Sequence, residues 1–517
     1  MSPIKILWVD DEIALLKPHF LFLEGKGYQS TPCNNGQDAL LMIDDQSFDV
    51  VLLDENMPGL GGLETLNEIK LRSPELPVIM ITKNEEEHIM EEAIGAKISD
   101  YLIKPVNPNQ ILLALKKLFQ HKNLIAEKTI VNYQQAFQRI SLSLNELETH
   151  GDWTEFYIKM LYWEMELEGL EDLAMLEIFQ DQMKEANRLF SKFVENHYPS
   201  WIKDNSGPLM SHRLLKEKVF PLLKPENQKT TLMLVIDNLR YDQWKVIAPI
   251  MENYYQKEEE MAYYSILPTA THYARNAIFS GMMPLEMQKK HPDWWVNENE
   301  EGGKNLNEAE FLKAHMQRNN INSPLNYSKI TRLKAGKELS QSLHNYQNDG
   351  LLVVVYNFVD MISHAKTEME MIKELAPDNK AFRSLTLSWF KNSPLLEIIQ
   401  QAQKLGFNLV VTTDHGTINV DQAIEVKGTR DLSSNLRYKT GASLSYDQKS
   451  VMEVTSPEEI KLPAPNLNSK FIFARGQQYF VYQNHFNHYA NYYRNSFQHG
   501  GISMEEMIIP FVVMRPR

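Results

Sequence analysis

The chain has 517 residues, 43% hydrophobic and 23% charged; that is too long for one ordinary core and apolar enough to build about three domains. A net charge of −14 and a pI near 5.6 argue against a nucleic-acid binder, which needs a basic face, so direct DNA binding is not expected. The single cysteine, Cys33, excludes an intramolecular disulfide; the longest apolar stretches run to about nine residues, short of the ~20 of a membrane span, and with no signal-peptide pattern a cytoplasmic location is expected.

In the first ~120 residues, Ile4 to Val9, Val50 to Leu53, Val78 to Ile81 and Asp100 to Ile103 read as strands, with amphipathic stretches between them. This rhythm predicts a parallel sheet with helices on both faces. Functional groups in such a sheet gather at the carboxyl ends of the strands. From about His121 to Trp201 glycine and proline are scarce, and apolar residues recur at helical spacing, as in Trp153, Phe156, Tyr157, Met160 and Leu161. About three helices in a small bundle are expected there, one opened by a capping box of Asp152 and Glu155. Gly207, Pro208, Pro221 and Pro225 mark an entry into the next domain.

From Thr230 a second alternation begins, with Leu232 to Ile236, Leu351 to Tyr356 and Leu409 to Thr412 as buried strands. Two polar stretches, 297–328 and 420–469, show no clear strand pattern and read as insertions or a cap. The charge run Glu298 to Glu301 reads as a solvated loop.

The first chemical constellation lies at the early strand ends. Asp10 and Asp11 follow the first strand and Asp54 follows Val50 to Leu53. Three convergent carboxylates repel one another and favour a hard cation such as Mg²⁺, beside which the Asp54 carboxylate can attack a phosphoryl group to give an acyl phosphate. Thr82 offers a hydroxyl at the next strand end, and Lys104 an ammonium that can pair with phosphoryl oxygens. Tyr101, three residues before Lys104, can swing between exposed and buried positions. The set resembles the receiver domain of bacterial response regulators, a flavodoxin-like fold. The resemblance implies phosphorylation of Asp54, Mg²⁺ held by Asp10, Asp11, Asp54 and the backbone carbonyl of Asn56, a switch pair of Thr82 and Tyr101, and Lys104 as the phosphate-sensing lysine. It implies a cis Lys104–Pro105 bond and a sensor histidine kinase as donor.

The second constellation lies in the C-terminal half. Asp237 ends the strand Thr231 to Ile236; Asp360 and His364 follow Leu351 to Val359 at i, i+4 spacing; Asp414-His415-Gly416 follows Val410 to Thr413; His499 precedes Gly500-Gly501. Mixed carboxylate and imidazole ligands suit Zn²⁺ or Mn²⁺ better than Mg²⁺, and six of them suffice for two ions with open coordination. Thr271, in Leu267-Pro268-Thr269-Ala270-Thr271-His272, is the candidate nucleophile.

The order Asp, Thr, Asp-x-x-x-His, Asp-His-Gly, His-Gly-Gly resembles the alkaline-phosphatase superfamily, a doubly wound α/β fold. That resemblance implies one ion on Asp360, His364 and His499 and another on Asp237, Asp414, His415 and the Thr271 hydroxyl. Threonine as nucleophile is typical of its phosphodiesterase branch; Arg275 is a candidate substrate contact that would suit a monoesterase.

Taken together, the chain resembles PorX-like response regulators of the type IX secretion system. The resemblance implies a receiver over 1–120, a helical bundle or linker over 121–204 and a PglZ-type metallohydrolase domain over 205–517. It further implies two Zn²⁺ in the last domain, phosphodiesterase activity on nucleotide-type substrates, homodimerisation on phosphorylation, and contacts with the secretion motor and a sigma factor. An alternative is a regulatory binding module, its metal site structural and its output passing through protein partners.

Overall fold

The computed structural model describes residues 3–83, 98–169, 173–223, 229–298, 300–347, 350–357, 359–361, 378–428, 434–464 and 468–517, without the side chains of 120–128. It forms two compact units, Met1–Asn132 and Tyr133–Arg517.

In the first unit, β1 (Ile4–Val9), α1 (Lys17–Glu24), β2 (Tyr28–Cys33), α2 (Gly36–Asp45), β3 (Val50–Asp54), α3 (Gly62–Arg72), β4 (Val78–Thr82) and β5 (Asp100–Ile103) follow in order. The strands make one parallel sheet, β2-β1-β3-β4-β5. β3 and β4 are buried throughout, as central parallel strands with both faces covered must be. The sequence reading missed β2, because Tyr-Gln-Ser-Thr-Pro-Cys has no apolar run; as an edge strand β2 tolerates Pro32. The Lys104–Pro105 bond is cis.

Helix α4 (Pro108–Ser143) runs without a break through residue 120, where a domain boundary was expected. With α5 (His150–Glu168) and α6 (Leu173–Asp204) it supplies the three expected helices, but they are not a third compact unit. Beyond Asn132 they share one continuous core with the C-terminal sheet, from Tyr133 and Ile140 to Met514. Trp153, Phe156, Tyr157, Met160 and Leu161 are all buried in that core, each stabilising it by roughly 1.5–3 kcal/mol. The capping box is Thr149 with Asp152, not Asp152 with Glu155. Thr149 has the extended backbone of an N-cap, its hydroxyl accepts from the Asp152 N–H, and the Asp152 carboxylate accepts from the Thr149 N–H at 2.8 Å.

The larger unit continues with β6 (Thr231–Ile236), α7 (Tyr241–Met251), β7 (Tyr255–Tyr264), α8 (Thr271–Ser280), α9 (Glu308–Arg318), β8 (Leu325–Ile330), β9 (Leu351–Tyr356), α10 (Asn379–Asn392) and β10 (Asn408–Thr412). β11 (Ile418–Val420), β12 (Gln422–Val426), β13 (Tyr438–Gly441), β14 (Val451–Val454), β15 (Lys470–Ala474), β16 (Gln478–Tyr482), α11 (Phe486–Tyr493), β17 (Ser496–Gln498) and β18 (Ile508–Pro516) follow. The main sheet has the order β7-β18-β10-β6-β9-β8. β8, β9, β6 and β10 are parallel; β18 runs antiparallel to its neighbours β10 and β7, so that β7 points the same way as the parallel four. β10, β6 and β9 are neighbours, so Asp414, Asp237 and Asp360 leave the sheet at one edge, around its topological switch point.

The 420–469 stretch is not strandless: β12 pairs with β16, and β13, β15 and β14 form a three-stranded sheet. Those strands are only four or five residues long, and β12 and β13 pair with segments distant in sequence. Local pattern does not reveal such strands. The 297–328 stretch likewise holds α9 and the start of β8.

The helical segment is fastened to the larger sheet by buried polar bonds. Arg383 pairs with Asp242 at 2.6 Å and with Glu168; Asn379 receives a hydrogen bond from Arg240 at 2.7 Å and donates one to Glu164 at 2.7 Å. Asn187 donates to both Glu505 oxygens and accepts from the Met504 N–H. Removing one partner of such a buried network leaves a charge uncompensated, typically at 3–5 kcal/mol.

Candidate active site and phosphoacceptor site

The Asp54 carboxylate and Asp10 are both 1% exposed, while Asp11 is open to solvent. Ligand atoms of the three lie within 4.8 Å of one another. The Lys104 ammonium sits 2.9 Å from both Asp10 Oδ2 and Asp54 Oδ1. Burial raises the Asp54 carboxyl above its ordinary range, opposed by Lys104. A divalent cation would oppose burial in the same sense, so the donor set fits Mg²⁺. The Thr82 hydroxyl donates to Glu55, a residue not singled out from sequence. Tyr101 is 40% exposed.

In the larger unit, Thr271 opens α8, whose remaining residues are all buried. A helix N-terminus presents unpaired N–H groups and a partial positive charge, which suits a phosphoryl group. Thr271 Oγ1 lies 3.0 Å from His415 Nε2 and 3.4 Å from Asp237 Oδ1. Asp237, Asp414 and His415 place ligand atoms within 4.8 Å of one another, all buried. Asp414 Oδ2 is buried and, among the described residues, accepts no hydrogen bond. Burial and the neighbouring Asp237 charge raise the Asp414 carboxyl, whereas Asp237, against the same burial, is held low by Arg275 and His415.

His415 and His499 stack at 4.2 Å with planes 20° apart. His415 Nδ1 donates to the Gly416 carbonyl at 3.1 Å and His499 Nδ1 to the Thr269 carbonyl at 3.2 Å. Only a protonated Nδ1 suits a carbonyl, which leaves each Nε2 as a metal-competent lone pair. His499 Nε2 is 3.6 Å from Asp360 Oδ1, which also accepts from Asn238 Nδ2 at 3.4 Å. His364 lies outside the described residues. The orphaned Asp414 oxygen and the two oriented imidazoles fit divalent metal ions with N and O ligands.

Two glycines let these loops close. A Cβ on Gly416 would stand 2.0 Å from the Glu505 carbonyl oxygen, and one on Gly500 2.7 Å from Asn435 Oδ1, where φ is also +120°.

Arg275 is not placed to greet substrate. It is 1% exposed, with Nη1 2.5 Å from Asp237 and Nε 2.5 Å from Glu308. It neutralises and aims Asp237 from behind. Glu308 was missed because an acidic residue in a polar stretch carries no local sign of burial; it also binds Lys329 at 3.1 Å. Nor is Glu298 solvated: it accepts from Tyr273 at 3.2 Å and faces His272 Nδ1 at 3.4 Å.

Comparison with known proteins gives three domain matches. Residues 6–116 match the response regulator receiver domain, 123–202 the PorX response regulator linker domain, and 214–514 the BREX system PglZ alkaline phosphatase-like domain. The transcriptional regulatory protein ZraR of Klebsiella oxytoca is 36% identical over 121 residues, 23% of this chain and 27% of that protein. ResD of Bacillus subtilis is 33% identical over 116 residues, 22% and 48%. The chain thus spans about a quarter of the length of the first curated relatives it matches. A chemotaxis response regulator of Vibrio cholerae, CheY4, is 28% identical over 22% of this chain and 98% of its own, with a TM-score of 0.22.

The fold and the matched domains define a response-regulator receiver joined through a linker to an alkaline phosphatase-like domain. The chain belongs to the PglZ alkaline phosphatase-like family, in the receiver–linker–PglZ arrangement of PorX-like regulators. Among the described residues no helix is long and apolar enough to cross a membrane.

Proposed function

We propose that the chain is a response regulator phosphorylated on Asp54 whose output is zinc-dependent hydrolysis of nucleotide-type phosphodiesters, in the service of type IX secretion. The observation that carries the catalytic half is the Thr271 hydroxyl at the head of α8, 3.0 Å from an imidazole Nε2 whose other nitrogen is tied to a carbonyl. Asp237, Asp414, His415 and Thr271 would hold one Zn²⁺, and Asp360, His364 and His499 the second. Bound there, the ions supply charge neutralisation and ease the deprotonation of a hydroxyl.

The chain's own groups then have distinct tasks. Thr271 Oγ gives up its proton and attacks phosphorus, the ester P–O bond breaks and the departing alkoxide takes a proton to leave as the alcohol; water later cleaves the Oγ–P bond, which releases the phosphomonoester and restores the hydroxyl. The N–H groups of α8 bind the non-bridging oxygens. Arg275 and Glu308 hold Asp237 in place. The match to the PorX response regulator linker supports the secretion role, and with it the sensor kinase, secretion-motor and sigma-factor partners and the phosphorylation-linked homodimer. Hydrolysis of bis(p-nitrophenyl) phosphate by the zinc-loaded chain tests the catalytic reading. Thr271→Ala is expected to lower kcat at least a hundredfold with bound metal retained; an unchanged rate removes Thr271 as nucleophile.

A further inference from the structure

β12, β13, β16 and α11 line an open cavity of about 690 Å³ that the proposed reaction does not use. Its walls carry rings: Phe480 and Tyr482 of β16, Tyr489 and Tyr493 of α11, and His485 ahead of that helix. It is also lined by Lys439 of β13, which is only 1% exposed and has Nζ 4.6 Å from the centre of the Tyr482 ring. Burying an ammonium is costly, and here burial brings the lysine down to about 7. Glu298 opposes that shift, and a phosphate in the cavity would act in the same sense.

Rings recognise flat aromatic bodies by stacking, whatever their edge pattern. An ammonium recognises phosphate as a point charge. The volume lies in the range of small-molecule sites, roughly 300–1,000 Å³. We propose that this cavity is a binding site for a nucleoside monophosphate, its base among Tyr482, Tyr489 and Tyr493 and its phosphate on Lys439. The site is separate from the Thr271 centre, and neighbours of its lining residues pack against neighbours of that centre. Tyr438, next to Lys439, packs edge-on against Tyr273 at 5.8 Å, and Asn435, next to the lining residue Ser434, has Oδ1 where it would stand 2.7 Å from a Cβ on Gly500, beside His499.

Calorimetric titration of the full-length, metal-loaded chain with AMP, adenosine and inorganic phosphate tests this. AMP should bind at least tenfold more tightly than either fragment. Lys439→Met should reduce AMP to the adenosine level, and Tyr482→Ala should weaken AMP and adenosine alike. Thr271→Ala should bind AMP as the wild type does. Tyr489→Ala, at a 41% exposed position, gives a second reading should Lys439→Met not fold, and should weaken AMP at least threefold. No AMP binding, AMP binding indifferent to these cavity substitutions, or binding lost in Thr271→Ala overturns the proposal.

Discussion

Arg275→Met separates a buried positioning role from substrate contact. The guanidinium is 1% exposed, 2.5 Å from Asp237 and from Glu308 and 3.6 Å from Asp414. At an effective dielectric of ~20 each close pair attracts by about 6–7 kcal/mol, most of it offset by desolvation. Removing one partner leaves the others charged and buried, which typically costs about 3–5 kcal/mol. Glu308 keeps Lys329 at 3.1 Å, whereas among the described residues Asp237 keeps the Thr271 hydroxyl at 3.4 Å and the more distant His415 at 3.9 Å, so Asp237 carries most of the loss. In chelated protein the variant should therefore lose about 3–5 kcal/mol of the ~5–15 kcal/mol typical of a domain. Saturating zinc should recover part of this, because a cation on Asp237 replaces the missing charge. Urea unfolding followed by tryptophan fluorescence is suitable, since every tryptophan except Trp8 lies in the larger unit. A stability change below ~1 kcal/mol together with a large rise in KM would refute the buried role and restore Arg275 as a substrate contact.

Other outcomes follow from the same geometry. Glu505, 8% exposed and bonded to Asn187, is pushed by burial to about 7. The folded state therefore binds this proton more tightly than the unfolded chain does. The contribution is full below the unfolded value and is lost as pH rises through about 7, on the order of 3 kcal/mol in all. Wild-type stability should fall between about pH 5 and pH 8, and Glu505→Gln should flatten that slope; an unchanged slope assigns it to other groups. Acetyl phosphate should add one phosphoryl group to the wild type, seen by intact mass, and none to Asp54→Asn; a labelled variant would move the acceptor elsewhere.

The sequence was most legible where chemistry follows a buried strand. β6, β9 and β10 are runs of Val, Leu and Ile, and the residue types following each announce ligands. Residues that act from behind were not legible. Arg275, Glu308 and Glu298 have ordinary local sequence, and only the tertiary fold buries them against Asp237 and His272. The short strands around Lys439 were invisible for the same reason: their partners lie tens of residues away. A three-domain division also followed from composition, yet α5 and α6 share their apolar faces with the sheet.

Anomalous scattering at the zinc edge from crystals of the purified full-length chain addresses the central claim most directly. Two peaks are expected, one between Asp237, Asp414 and His415 beside Thr271 and one at Asp360 and His499, with the first absent in His415→Ala. A chain that carries no transition metal, takes none up on soaking, or binds it away from these side chains would contradict the account.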